Sequence, residues 1–236
     1  MLIDIATWIL LAVGVTWAMF AYLRAVSGAG VQLLRQVADQ LFGVSAWSVA
    51  SGDKAFGLAI SQAVKGKVGD QEVWIEYNAA QGDPGDSYQS RLNYLAAFFP
   101  IPLQSTTVIA KPFSSTSTIV PLIALEGLNE VAPSFHALGD QITVKTDSPD
   151  QRAGAIFDNA SFRSAVVRLC AERWFVGLSL GTAKANTGFA AGGTIRDGKS
   201  GVLLTAQMTV KEFTSIQTGL TQRLRELAQA CQSLRA

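Results

Sequence analysis

Residues 5–23 read IATWILLAVGVTWAMFAYL, a run of nineteen positions with no charged side chain. Wound as a helix it rises about 28 Å, close to the ~30 Å hydrocarbon thickness of a bilayer. Trp8 and Tyr22 stand near its two ends, as aromatic-belt residues do, and Arg24 is placed to snorkel toward headgroups. A cleaved signal peptide fits less well. The preceding residues are MLID, with Asp4 as the only charged side chain, and the apolar run exceeds a usual signal-peptide core. The run therefore predicts a retained transmembrane anchor over residues 1–26. Gly14, Ala18 and Ala21 or Tyr22 repeat at small-xxx-small spacing, which lets a neighbouring helix approach closely. Trp8, Gly14, Ala18, Tyr22 and Arg24 are thus the candidate anchoring and helix-packing residues. Arg24 and Arg35 follow the run while no basic side chain precedes it, so the positive-inside rule predicts an inner-membrane protein with its N-terminus outside and the rest cytoplasmic.

Working outward, Ser27-Gly28-Ala29-Gly30 reads as an interruption of the helix. VQLLRQVADQLF (31–42) then sets Val31, Leu34, Val37, Ala38 and Leu41 on one helical face. A further helix is expected from Asp53 to Val64, which makes residues 27–64 a juxtamembrane helical segment. Beyond residue 64 the period changes to two. KVGDQEVWIEY predicts a hairpin around Gly69-Asp70, and Tyr88–Phe99, Thr106–Phe113 and Gln141–Thr146 read as further strands. Ser148-Pro149-Asp150-Gln151 signals a helix start, with a helix running to Arg173 and broken at Asp158-Asn159. Trp174–Leu180 is a strand, and Thr187–Arg196 and Val202–Val210 flank a turn. The last helix is announced by Thr209 and Glu212 as a capping box. Its stripe is Phe213, Ile216, Leu220, Leu224, Leu227, Cys231 and Leu234. The expected fold class is α+β: one N-terminal transmembrane helix, then a cytoplasmic domain over residues 65–236. That domain should hold a mixed, mainly antiparallel sheet, flanking helices and a long C-terminal helix.

Composition narrows the function. Lys plus Arg number 19 against 18 for Asp plus Glu, a net charge of +1 without the basic excess of a nucleic-acid binder. Hydrophobic residues make up 49% of the 236 positions, enough to build a core. Two cysteines give no disulfide framework and one histidine limits metal and histidine chemistry. Two motifs tempt. Gly193–Ser200 (GTIRDGKS) fits the phosphate-loop pattern, but that loop needs a helix behind it, and GVLLTAQMTV reads as a strand behind a hairpin turn. Gly177–Gly181 (GLSLG) fits a nucleophile elbow, yet no histidine follows Ser179 and His136 precedes it. Asp53, Glu72, Glu76, Glu126 and Glu130 supply carboxylates without a spacing that pairs any two of them. Trp47, Trp74 and Trp174 lack an interleaved basic run and read as packing residues. No catalytic, cofactor-binding or metal-ligating residue is therefore assigned, and no cofactor is expected.

KGKVGDQEVWIEY, followed later by ITVKTDSPDQRAGAIF, resembles the cytoplasmic part of bacterial single-span membrane proteins of uncharacterised function. In layout, one span followed by one cytoplasmic domain is similar to the H-type subunit of purple-bacterial reaction centres. A single anchor, a domain poor in catalytic residues and few charges predict a non-catalytic accessory subunit of a larger bacterial membrane complex, with photosynthetic or respiratory assemblies as the setting. Its expected partners are other membrane-protein subunits and the lipid bilayer, and no nucleic acid. The alternative is a membrane-tethered ligand-binding or sensor domain. A tethered hydrolase or nucleotide-binding enzyme ranks below both.

Overall fold

The computed structural model describes residues 2–55, 58–79, 93–103, 107–110, 129–130, 143–146, 158–182, 198–208 and 210–234. Helix α1 (Leu2–Phe42) leads into β1 (Trp47–Ala55), β2 (Leu58–Val68), β3 (Gln71–Ala79) and β4 (Asn93–Pro100). Three short strands follow, β5 (Thr107–Ala110), β6 (Asn129–Glu130) and β7 (Thr143–Thr146). Helix α2 (Ala160–Cys170), strands β8 (Phe175–Thr182) and β9 (Ser200–Met208) and helix α3 (Val210–Ser233) complete the order.

The strands form one sheet ordered β1-β2-β3-β4-β9-β8-β5-β7-β6, and every described pairing is antiparallel rather than mixed. Alternation along β3 shows how the sheet buries itself. Val73, Ile75 and Tyr77 face the main core, where they meet Leu95, Ala97 and Phe99 of β4, Val202 and Leu204 of β9, and the helices. Trp74 and Glu76 point to the opposite face and are buried as well. There the Trp74 and Phe98 rings meet with centroids 5.9 Å apart at 58°, a tilted aromatic pair.

Helices α1 and α3 cross the main-core face. Leu33, Leu34, Val37, Ala38 and Leu41 of α1 and Phe213, Leu220, Leu224, Leu227 and Cys231 of α3 are buried in that core. α1 stops where Gly43 takes φ of 99°, a backbone state that an L side chain resists, while its N–H still reaches the Asp39 carbonyl at 2.9 Å. α2 is capped by Asn159, whose Oδ1 accepts the Phe162 N–H at 3.0 Å.

Three sequence expectations are corrected. The first is the transmembrane helix, and with it the single-pass, inner-membrane placement with an outside N-terminus and a cytoplasmic domain. Among the described residues no helix is long and apolar enough to cross a membrane. The apolar run is the leading part of a continuous 41-residue helix whose later turns carry Arg35, Asp39 and Gln40 and lie on the sheet. The second is the break at Ser27–Gly30, through which α1 runs helical. Gly30 sits directly under the Tyr77 ring, in space that a Cβ would need, so contact with the sheet offsets its poor helix propensity. The third is the helix over Asp53–Val64, which is instead the end of β1 and most of β2. Its partners lie far along the chain: Ala63 pairs with Glu76 and Val64 with Ile75. Residue 26 accordingly falls inside α1 and residue 64 inside β2. The turn over residues 81–86, the strand over 187–196 and the helix start at Ser148 lie outside the described residues.

Candidate functional site

Among the described side chains, residues 7–19 of α1 form a continuous apolar surface that the body leaves uncovered. Trp8, Leu10 and Trp17 are each more than 70% exposed, and Ile9, Leu11, Val13, Val15 and Met19 more than half. Successive helical residues point ~100° apart, so exposure of Trp8, Ile9, Leu10 and Leu11 in turn means that this arm is apolar all round. The polar group of Thr16 is turned inward: its hydroxyl donates to the Ala12 carbonyl at 2.7 Å. Side chains of this size present roughly 1,000 Å² of apolar surface, well beyond the largest patch of an ordinary monomer.

Of the residues singled out in the sequence, Trp8, Gly14 and Ala18 lie on this arm and are exposed. A Cβ built on Gly14 meets no atom within 4 Å. Tyr22 and Arg24 belong to the same helix, and their side chains lie outside the described residues.

The other half of α1 is held fast. Besides its buried stripe, Asp39 Oδ1 accepts the Trp47 indole N–H at 2.7 Å. The Thr221 hydroxyl of α3 donates to Gln40 Oε1 at 3.2 Å, and the Arg225 guanidinium donates to the Gln40 carbonyl. Such bonds fix both the rotation and the axial position of the helix. The arm thus projects from a defined mounting.

A second polar cluster ties α2 to α3. Arg223 bonds Glu172 at 2.8 Å and Glu226 at 3.1 Å, and Arg168 reaches Glu226 at 3.0 Å. The Glu172 hydrogen bond is the main cause of the raised Arg223 pKa. Burial works against the Glu226 carboxylate, but hydrogen bonds from Arg223 and Gln222 and the nearby guanidinium charges hold its pKa below the ordinary value. These contacts brace the helix pair.

The two tempting motifs lie elsewhere and take strand geometry. In the phosphate-loop pattern, residues 193–197 are outside the described set. Gly198 turns at φ of 71°, Lys199 Nζ lies 3.9 Å from the Trp74 ring centroid, and Ser200 opens β9 rather than a helix. The Ser200 hydroxyl accepts the Leu103 N–H at 2.7 Å and donates to the Leu103 carbonyl at 3.2 Å. Ser179 sits within β8, buried, paired with Leu203 on one side and Val108 on the other, far from any strand-to-helix elbow. His136 lies outside the described residues. Among the described residues no group of three or more His, Cys, Asp or Glu could hold a metal ion. Cys170 and Cys231 are buried and not joined in a disulfide.

Sequence reading missed the mounting. Gly30 beneath Tyr77 and Gln40 against Thr221 join residues far apart in the chain. The only local trace was the inward alternation of Val73, Ile75 and Tyr77. Compared with known proteins, the chain matches no protein-family model, and no curated protein matches it.

Proposed function

We propose that the protein is a non-catalytic accessory subunit that docks into a larger assembly through the leading half of α1. The supporting observation is the arm itself: apolar on every side, uncovered, and carried on a helix whose other end is bolted into the body. A helix that is hydrophobic all round is one that other apolar matter surrounds. A single second copy would bring an identical helix and cover one side only. A groove or helix cluster on a different polypeptide covers all sides, and this is the partner proposed.

The test places a photo-crosslinking amino acid at Leu11 or Val15 in the full chain, expressed in its own cells. Expected is one crosslinked partner polypeptide, obtained from both positions and lost in a Leu10→Asp/Trp17→Asp variant whose circular dichroism is unchanged. Crosslinks only to lipid, only to copies of the same chain, or scattered over unrelated proteins would overturn the docking role.

A further inference from the structure

We infer that the partner closes around the arm as a socket, dry in its middle and carrying one acceptor oxygen near each end, on opposite walls. The inference rests on the docking role proposed above and names the chemistry of the surface that receives the arm. It starts from Trp8 and Trp17, which are 71% and 72% exposed. Nine residues separate them on one helix, so they stand about 13–14 Å apart along its axis. Nine steps of ~100° also put them on opposite faces. Neither indole N–H has a hydrogen-bond partner among the described residues. Between them, residues 9–16 read ILLAVGVT, and the one polar side chain, Thr16, is turned onto the Ala12 carbonyl.

An indole combines a broad apolar ring with a single donor. Its ring favours burial, but an N–H buried without an acceptor forfeits the bond it had to water. Leucine or phenylalanine would fill a purely apolar hole without that cost. Within the body the chain meets the same demand with carboxylates: Trp47 donates to Asp39 Oδ1 at 2.7 Å and Trp74 donates to Glu72. A surface that buries Trp8 and Trp17 must do likewise, once on each side of the helix. A one-sided groove takes in one of the two rings and leaves the other in water. The pair also sets the fit. A helix that is apolar all round could rotate or slide in a smooth apolar hole, whereas two acceptors at different depths and on opposite walls fix both angle and depth.

The test replaces Trp8 or Trp17, one at a time in the full chain, by benzothienylalanine, which keeps the two-ring shape and sets sulfur where the indole N–H was. Complexes recovered from the protein's own cells through a C-terminal tag are diluted, and the concentration at which each dissociates is read by native mass. Each variant is expected to dissociate at about tenfold higher concentration than the wild type, the effect of one lost buried hydrogen bond. Both side chains are exposed in the free chain, so the urea midpoint of the body should not move. Dissociation as in the wild type at both positions would overturn the acceptors, and a change at one position alone would overturn the enclosing socket. Either result leaves a partner bound. Recovery of the wild type with no second polypeptide is a separate failure, which overturns the docking role and the socket with it.

Discussion

The Tyr77 hydroxyl is buried where β3 meets α1, and burial pushes its pKa from 10.0 up to about 12. The folded state therefore keeps the phenol neutral while the unfolded chain ionises it. The resulting stability is fully present below about pH 10 and is lost as pH rises toward 12, amounting to about 2–3 kcal/mol over that window. Denaturant unfolding of the wild type should thus show stability falling between about pH 10 and 12, and Tyr77→Phe should flatten that fall. Glu226 acts with the opposite sign. Its lowered pKa contributes stability above the unfolded carboxylate value that is lost as pH falls through the folded one. Glu226→Gln should weaken the acid dependence of unfolding below about pH 5. At this scale the sequence was least informative. Glu226 and Arg223 stand one helical turn apart and could be paired from spacing, but the reach of both charges to α2 depends on tertiary contact.

Among the elements, α3 was the most legible. Its stripe of residues at helical spacing is the buried face, with Leu220, Leu224 and Leu227 fully enclosed and Ile216 and Leu234 packed at the margin. Leu224→Ala should cost about 2–5 kcal/mol, read from the urea midpoint at unchanged slope. At the Asp158-Asn159 pair, read as a break in a helix, Asp158 is helical, Asn159 bends, and α2 starts at Ala160, because the Asn159 side chain satisfies a backbone N–H of its first turn. Asn159→Ala should cost about 1 kcal/mol. The stretch from Asp53 to Val64 misled for a physical reason. Its apolar residues fit a helical stripe, yet strand pairing with β3 and the fit of Gly66 beneath the Phe42 ring prevail over local preference.

For the molecule as a whole, the sequence and the structure diverge over the same nineteen residues. The apolar run was legible, and so was its lack of charge. What spacing could not reveal was continuity: the run is one end of a helix whose other end belongs to the core of the α+β body, joined across Gly30 without a break. That continuity turns an expected anchor into an arm on a fixed mounting. The same burial pattern separates stability from association. Leu10→Asp/Trp17→Asp should leave the unfolding midpoint of the body within about 0.5 kcal/mol of wild type, since both side chains are exposed. The most direct measurement is the native mass of the complex recovered through a C-terminal tag, wild type against Leu10→Asp/Trp17→Asp. Docking through the arm predicts a wild-type particle containing this 25.1 kDa chain and a different polypeptide at fixed stoichiometry, with the variant running as the chain alone. A wild-type particle of the chain alone, or a partner retained undiminished by the variant, would contradict it.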